Sequence, residues 1–252
     1  MNIKFELNTN YKIMEQFLLD IKKYFNNNSN SIHKARNELK VIEFEKTDTV
    51  VKSFKVPNIL NKIIYTFFRE SKAKRSYKYS IKIEKFVPKP IGYIEFYKNT
   101  LLDESYFISE KFDYTYTIRE ALKKQLNKTD AEYETIYQAF AKFTFKLHEE
   151  NIFHDDYSPG NILIKETTDG YEFKIVDINR MSFDKLTETK RAQNFEKLWA
   201  LDEILEVMAD EYTKYYETSN KKEFKQNVLY FSNKNKKIKN FKKRIKGKPV
   251  TD

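Results

Sequence analysis

The sequence predicts an α+β chain of two lobes, in which a small β-rich N-terminal lobe precedes a reduced helical C-terminal lobe. Strand-like and helix-like periodicities follow one another in that order, and 252 residues suffice for two lobes. A polar loop with a distinctive residue spacing stands near the start of the second half. We expect an N-terminal lobe over 1–110, a C-terminal catalytic lobe over 111–218 and a basic tail over 219–252, with the break near 111–113.

The first lobe combines strands with two helices. Apolar residues at helical spacing predict a helix over 11–26 and, from Pro57 to about Ile83, a long second helix that Pro88 and Pro90 end. Period-two alternation predicts two strand pairs, at 39–44 with 50–54 and at 91–97 with 105–110.

The second lobe is predicted to be mainly helical. An amphipathic pattern predicts a helix over 131–150, and another helix is expected over about 193–217. Short apolar runs predict strands at 162–165 and 173–177, on either side of a turn. The polar loop therefore lies between a long helix and a strand.

That loop carries the chemistry. His154, Asp156 and Asn161 stand in a Pro-Gly turn before a strand, and Asp177 follows sixteen residues after Asn161. Phosphoryl transfer from Mg·ATP requires one carboxylate to orient the acceptor hydroxyl, and an Asn and a second carboxylate to hold metal ions on the phosphates. The spacing therefore predicts a protein-kinase-like fold and an ATP-dependent kinase.

Each side chain of the loop has a predicted role. Asp156 is the catalytic carboxylate, and Asn161 and Asp177 are the Mg²⁺ ligands because hard cations prefer oxygen donors. His154 is predicted to brace the loop rather than to move protons. The competing interpretation of a single Asp is a turn or a helix cap, which the complete spacing with strands on both sides disfavours.

The first lobe supplies the nucleotide-binding candidates. Lys52, in Thr49-Val50-Val51-Lys52, is predicted to be a catalytic residue that pairs with the α- and β-phosphates, and Val50 shares its strand face and would cover the adenine. Lys55 falls on the opposite face. A solvent-facing strand Lys is the alternative, which the downstream motifs disfavour. The remaining candidates are Glu70, as the helix partner of Lys52, and Glu110 and Phe112 beside the predicted break.

The phosphate-covering loop departs from the usual Gly-rich pattern. The first Gly of the chain is Gly92, and the equivalent turn falls at 33–37. Lys34 and Arg36 could contact phosphate through their side chains there, or the loop is unspecialised.

The residues around the loop limit the class of acceptor that the chain is expected to phosphorylate. Asp155 stands where protein kinases usually carry the Arg that binds a phosphorylated activation loop, and Ser158 stands where Ser/Thr kinases carry Lys. No Ala-Pro-Glu follows Asp177, and only about 40 residues precede the tail. A small-molecule or glycan hydroxyl is therefore expected as the acceptor.

Charge and composition limit the kinds of site and of surface contact that the chain can have. Cys is absent, which excludes disulfides and thiolate metal sites, and no apolar run reaches the length of a membrane span. The net charge of +10 lies wholly in 219–252, where 12 basic residues face only Glu223 and Asp252. This tail is either an electrostatic contact for an anionic membrane or glycolipid surface, or a solvated consequence of AT-rich coding.

The chain resembles the lipopolysaccharide core kinases, the Kdo/heptose kinase family, over roughly residues 50–200. The resemblance implies a protein-kinase-like fold, ATP and Mg²⁺ as cofactors, and phosphorylation of a sugar in the lipopolysaccharide inner core. It also implies a cytoplasmic enzyme at the inner face of the inner membrane, where the basic tail could dock. The matching stretches are 50–55, 71–77, Pro88-Lys89-Pro90-Ile91, 147–161 and Val176-Asp177-Ile178-Asn179-Arg180-Met181.

Three other functions stay open. The first is a kinase of another small hydroxylated molecule, such as an aminoglycoside. The second is a non-catalytic pseudokinase or scaffold, against which the presence of Lys52, Asp156, Asn161 and Asp177 argues. The third is a nucleic-acid-binding module, for which aromatic residues interleaved with the basic tail are the support, and it ranks last.

Overall fold

The computed structural model describes residues 2–34, 37–56, 58–218, 220–247 and 249–250. The chain divides into two units, Met1–Asp113 and Tyr114–Asp252. The division lies at the end of the predicted break, and residues 219–252, predicted as a tail, belong to the second unit.

The first unit is built on a six-stranded antiparallel sheet in the order β1-β5-β6-β4-β3-β2. Both predicted strand pairs are present, as β3 with β4 and β5 with β6, whereas β1 and β2 were not predicted from the sequence. The strands are β1 (Asn2–Leu7), β2 (Ser31–Lys34), β3 (Glu38–Phe44), β4 (Thr47–Phe54), β5 (Pro90–Lys98) and β6 (Leu101–Glu110).

One face of this sheet is covered by the segment predicted as a helix over 11–26. It forms three short pieces, a 3₁₀ turn at Thr9–Met14, α1 (Glu15–Leu19) and α2 (Ile21–Asn27). Their buried side chains form the main core cluster with the sheet, which includes Phe17, Ile21, Val51, Ile94 and Ile108. This packing fixes the face of β4 that carries Val51.

The predicted long helix from Pro57 to Ile83 is wrong. The chain forms α3 (Ile59–Ile63) and a π-helical turn (Ile64–Phe68), then becomes extended at Arg69 before α4 (Lys72–Lys82). Ser71 caps α4 by accepting a hydrogen bond from the Lys74 N–H at 3.1 Å. The cap marks Ser71 as the start of a separate helix.

Helix α4 lies on the face of the sheet opposite α1 and α2. Its Ala73 and Tyr77 form a second buried cluster with Phe54 and Tyr93. Because side chains alternate along β4, the α4 face of that strand also carries positions 50 and 52. The two predicted nucleotide-binding side chains of β4 therefore share the α4 face.

The second unit contains short strands and five helices within its described residues. β7 (Tyr116–Thr117), β9 (Ile162–Thr167) and β10 (Gly170–Ile175) form one sheet, and β8 (Phe153–His154) pairs with β11 (Met181–Ser182). The helices are α5 (Ile118–Leu122), α6 (Asp130–Glu149), α7 (Glu188–Gln193), α8 (Asp202–Tyr215) and α9 (Lys221–Ile245). A capping box of Thr129 and Glu132 begins α6.

The predicted helix over 193–217 is also wrong. A 3₁₀ turn at Asn194–Lys197 follows α7, and Trp199 adopts a left-handed backbone with φ of 57°, so α8 begins only at Asp202. A right-handed helix cannot pass through a residue in that conformation. The turn places Trp199 in the wall of a cleft that Asp156 also lines.

Residues 221–245 form helix α9, which packs on α7, α8 and the 194–197 turn. Phe224 and Val228 are fully buried, and the Phe224 ring stacks on Tyr212 with centroids 5.0 Å apart. Most of the predicted basic tail is therefore a packed helix. Within the described ranges, no helix has both the length and the hydropathy needed to cross a membrane.

Candidate active site

The loop that carries the predicted catalytic residues begins at the buried His154. His154 Nδ1 accepts a hydrogen bond from the Asp156 backbone N–H at 3.0 Å, and Nε2 lies 3.0 Å from the carbonyl oxygen of Val176, to which it donates. Burial lowers the pKa of His154, so the ring is neutral and has one donor and one acceptor nitrogen. Both nitrogens are used, which fits the predicted bracing role.

A second brace reaches the loop from α6. The Asn194 amide donates to the His154 carbonyl oxygen at 3.0 Å, and Asn194 Oδ1 accepts from His148 Nε2 at 3.0 Å. Since Nε2 holds the proton, His148 Nδ1 accepts from the Tyr212 hydroxyl at 2.8 Å. Burial lowers the pKa of His148 to about 3. The sequence reasoning missed this chain, because its members are far apart in the sequence.

Asp156 and Asn161 are joined through the backbone of the loop. The Asn161 side-chain amide donates to the Asp156 carbonyl oxygen at 2.9 Å, and the Ser158 N–H donates to the same oxygen at 2.7 Å. Asp156 and Asn161 are both half-buried. These bonds fix the backbone of Asp156 and the side-chain amide of Asn161 within one short loop.

Asp177 is held close to Asn161. The Val176 N–H donates to the Asn161 carbonyl oxygen at 2.9 Å, and the next residue, Asp177, has a left-handed backbone with φ of 57°. The buried Asn179 amide donates to Asp177 Oδ1 at 2.5 Å. Asp177 itself makes the left-handed turn, and Asn179 orients its carboxylate.

The donor set fits a magnesium ion. Asn161 offers an amide oxygen and Asp177 a carboxylate oxygen, the hard donors that Mg²⁺ prefers when phosphates and water complete its shell. In the described part of the chain, no cluster of three or more His, Asp or Glu residues is suited to hold a metal by protein ligands alone.

Lys52 and Val50 lie in the first unit, on β4. Lys52 is opposite Leu39 of β3 and Phe107 of β6, and both Lys52 and Val50 are half-buried. The Lys52 Nζ lies 5.3 Å from the centroid of the Phe54 ring. Lys55 is exposed beyond the end of the strand. The structure therefore keeps Lys52 and Val50 together on one face of β4, the third strand from the β2 edge of the six-stranded sheet.

The other candidates of the first unit occupy loops and strand ends. Glu70 lies between the π-helical turn and α4, not within a helix as expected. It forms ion pairs with Lys74 and Lys78. Its assignment as the partner of Lys52 stays a prediction. Glu110 ends β6 and accepts a hydrogen bond from the Tyr11 hydroxyl at 2.6 Å. Burial and this bond raise the pKa of Tyr11.

Phe112 follows the last strand of the first unit and is half-buried. The expected phosphate-covering turn at 33–37 lies largely outside the described residues, which include neither Ala35 and Arg36 nor the side chains of His33 and Lys34.

Three features define a protein-kinase-like phosphotransferase. They are a Lys on the third strand of the antiparallel sheet, a loop with Asp and Asn that a His braces, and a second carboxylate. The chain belongs to the lipopolysaccharide kinase (Kdo/WaaP) family, whose model matches residues 46–225. It is an ATP-dependent sugar kinase of that family, and the predicted family and fold class are confirmed.

A solved structure described as WaaP in complex with acyl carrier protein has the same fold. The two chains are 11% identical, with a TM-score of 0.61, over 93% of this chain and 99% of that chain. No curated protein matches this chain.

Proposed function

We propose that this chain transfers the γ-phosphoryl group of Mg·ATP to a sugar hydroxyl of the lipopolysaccharide inner core, on Kdo or on heptose. The observation that carries the proposal is the loop 154–161, which holds Asp156 and Asn161 by hydrogen bonds in a chain of the lipopolysaccharide kinase family. The expected place of action is the cytoplasmic face of the inner membrane, where ATP is available.

Asp156 is the proposed catalytic carboxylate. Its carboxylate accepts a hydrogen bond from the acceptor hydroxyl, orients a lone pair of that oxygen towards the phosphorus and takes the proton as the new O–P bond forms. The bond between the γ-phosphorus and the bridging oxygen breaks, and ADP leaves with that oxygen. The brace from His154 to the Asp156 N–H fixes the backbone from which the carboxylate extends.

Asn161 and Asp177 are the proposed magnesium ligands. Asn179 and the Asp156 carbonyl orient their side chains before any ligand arrives, which reduces the ordering needed on binding. Mg²⁺, when bound, would neutralise charge on the phosphate oxygens. In the first unit, Lys52 is proposed to bind the α- and β-phosphates and to be catalytic for that reason.

The adenine would contact Val50 and the backbone of the segment that contains Glu110 and Phe112. Glu70 remains the proposed partner of Lys52.

The first test is transfer of labelled γ-phosphate from Mg·ATP to Kdo-lipid A and to heptosylated core acceptors. Asp156→Ala should lower the rate by about 10²–10⁴-fold while nucleotide binding persists. Asp155→Ala is the matched control, because Asp155 is the adjacent, exposed acid and should keep the wild-type rate. Equal rates for both variants would contradict the assignment of Asp156.

The metal assignment has its own pair of variants. Asp177→Ala should abolish Mg·ATP-dependent transfer with the fold intact, whereas Asp184→Ala, an exposed acid seven residues later, should not. Full activity of Asp177→Ala would refute the metal site. Nucleotide binding without transfer to either acceptor would favour a kinase of another small molecule, and absence of nucleotide binding would favour a scaffold.

We also propose that the chain docks on an anionic membrane, since the acceptor of this family is lipid-anchored. In the first unit, six apolar side chains of α3 and the π-helical turn are exposed, and Lys55, Arg69 and Lys72 flank them. Apolar exposure beside basic residues is typical of an interfacial helix. The six, called the apolar ridge, are Ile59, Leu60, Ile63, Ile64, Phe67 and Phe68.

Helix α9 offers a similar surface in the second unit. Ile238, Phe241 and Ile245 are exposed at spacings of three and four residues, so they form one stripe among the lysines. The location of the positive charge on this helix supports contact with anionic lipid.

Sedimentation with liposomes that contain anionic lipid tests both surfaces. Phe67→Ser with Phe68→Ser, and separately Phe241→Ser with Ile245→Ser, should each weaken binding by at least about tenfold. Ile13→Ser is the matched control, because Ile13 and Ile245 are both 70% exposed. Unchanged binding of both double variants would refute membrane docking through these surfaces.

A further inference from the structure

The cleft in front of Asp156 is strongly cationic. It has a volume of about 290 Å³, close to the lower end of the roughly 300–1,000 Å³ usual for small-molecule sites, and its apolar wall includes Leu198 and Trp199. Its size suits a ligand of one or two sugar rings. Its ionisable lining consists of one acid, Asp156, and four basic residues, Arg119, Lys123, Lys197 and Lys239.

Two of the cations lie directly against the catalytic loop. A Cβ atom added to Gly160 would lie 2.5 Å from Arg119 Nη2, so the guanidinium rests on the backbone of the loop at that glycine. The Lys197 ammonium donates a hydrogen bond to the backbone carbonyl of Asp155. Positive charge is therefore held at both ends of the short segment that carries Asp156.

A third cation comes from the C-terminal helix. Burial of Phe224 and Val228 fixes α9 on the second unit, and three helical turns further on, Lys239 reaches the cleft. The positive charge of this helix is thus present at the catalytic loop as well as on the exposed surface.

These charges are not balanced within the protein. Over the residues that the structure describes, no carboxylate forms an ion pair with Arg119, Lys123 or Lys239, whereas lysines such as Lys22, Lys128 and Lys225 are paired with acids. Asp156 alone cannot neutralise four cations. Uncompensated like charges facing a small cleft repel one another, and an anionic ligand would relieve that repulsion.

We propose that this cleft binds an anionic group of the acceptor, a carboxylate or a phosphate, within about one sugar ring of the reacting hydroxyl. The inference rests on the proposed function, because it takes Asp156 as the group that orients that hydroxyl. Arg119 would bind the anion in a bidentate way, and Lys239 would add charge from α9. Trp199 supplies an apolar wall for the sugar ring.

Calorimetric binding of three soluble probes tests the proposal without turnover. The probes are the methyl glycoside of Kdo, which has a free carboxylate, its neutral methyl ester, and a hexosamine 4-phosphate glycoside. The wild type should bind at least one anionic probe more tightly than the ester. Arg119→Gln should weaken that binding by about tenfold or more, and Lys239→Gln by up to about fivefold.

The controls separate a subsite from a general effect of charge. Lys222→Gln removes the same charge from an exposed position of the same helix and should leave probe binding unchanged. Binding of the ester and of Mg·ATP should be unchanged in all variants. A preference for the carboxylate probe would identify an acidic sugar as the source of the anion, and a preference for the phosphate probe would identify a phosphorylated sugar.

Equal binding of the ester and both anions, or weakened Mg·ATP binding with unchanged probe binding, would overturn the subsite. Failure of the proposed function is distinguishable, because it would leave the anion preference in binding while no phosphate is transferred to any acceptor. Transfer that treats the acid and its ester alike would conversely keep the function and refute the subsite.

Discussion

Acidification from pH 7 to pH 5 is expected to destabilise the second unit through His148. The ring is fully buried and neutral, between the Tyr212 hydroxyl and Asn194, and Arg191 nearby further opposes its protonation. Burial lowers its folded-state pKa to about 3, whereas an unfolded His has a pKa of about 6.5. The unfolded chain therefore binds a proton that the folded chain does not, and stability is lost as pH falls below about 6.5.

The size of this loss follows from linkage. Between the two pKa values, each pH unit costs about 1.4 kcal/mol for one proton. From pH 7 to pH 5 the contribution of His148 is therefore about 2 kcal/mol. The buried His154 adds to the loss in the same direction, because its pKa is also lowered. Carboxylates of the unfolded chain titrate at about 4, below this window.

Urea unfolding at pH 7, 6 and 5 measures the effect, with Trp199 as the probe. It is the single Trp of the chain and lies in the second unit, so its fluorescence reports that unit. With a urea dependence of roughly 2 kcal/mol per molar, a loss of about 2 kcal/mol lowers the midpoint by about 1 M.

His148→Gln is the comparison, because it keeps an amide N–H towards Asn194 and cannot titrate. This variant should be less stable at pH 7 but should lose about 2 kcal/mol less than the wild type on going to pH 5. Equal losses in the two proteins would refute the argument from His148.

Three further predictions follow from contacts of the second unit. Asn161→Ala should lower kcat by about 10²-fold or more and raise the Mg²⁺ concentration needed for half-maximal activity, measured by magnesium titration. Phe224→Ala should cost about 3–5 kcal/mol in unfolding monitored by Trp199, because a fully buried ring is lost. Gly160→Ala should displace the Arg119 guanidinium and weaken binding of the anionic probe by calorimetry, although it changes no charge.

The sequence predicted best what short stretches of chain determine. The hydrogen bonds inside the loop 154–161 join residues at most five positions apart, so their spacing can be recognised in the sequence. The pairing of β3 with β4 needs only a short turn and alternating side chains, and it too was found. Signals of this kind depend on residues that are close together in the sequence, so the sequence alone is enough to read them.

Features that depend on distant partners were missed. The role of His148 at the end of α6 could not be predicted, because its partners Asn194 and Tyr212 are 46 and 64 positions away. The breaks at Arg69 and Trp199 carry no Gly or Pro, so the commonest local signals of a helix end are absent there. Helix α9 did have a signal, since Asn220 and Glu223 mark a helix start before the apolar positions 224 and 228.

Removal of residues 219–252 is expected to unfold the second unit rather than simply release the protein from a membrane. Truncation exposes the surface of Tyr212 against which Phe224 stacks, together with the site of Val228, and losses of several kcal/mol are a large part of the stability of a domain. The same truncation removes Lys239 from the cleft. Low activity of the truncated chain therefore cannot distinguish loss of fold, of acceptor binding and of membrane contact.

Point variants of α9 distinguish these effects because its three surfaces use different residues. Phe224→Ala should lower stability, Lys239→Gln should weaken binding of the anionic probe, and Phe241→Ser with Ile245→Ser should weaken liposome binding, each with little change in the other two measurements. A truncated chain with wild-type unfolding by Trp199 fluorescence would contradict this division. Residues 219–252 would then be the detachable tail that their composition suggests, and the packing of Phe224 would contribute nothing to the fold.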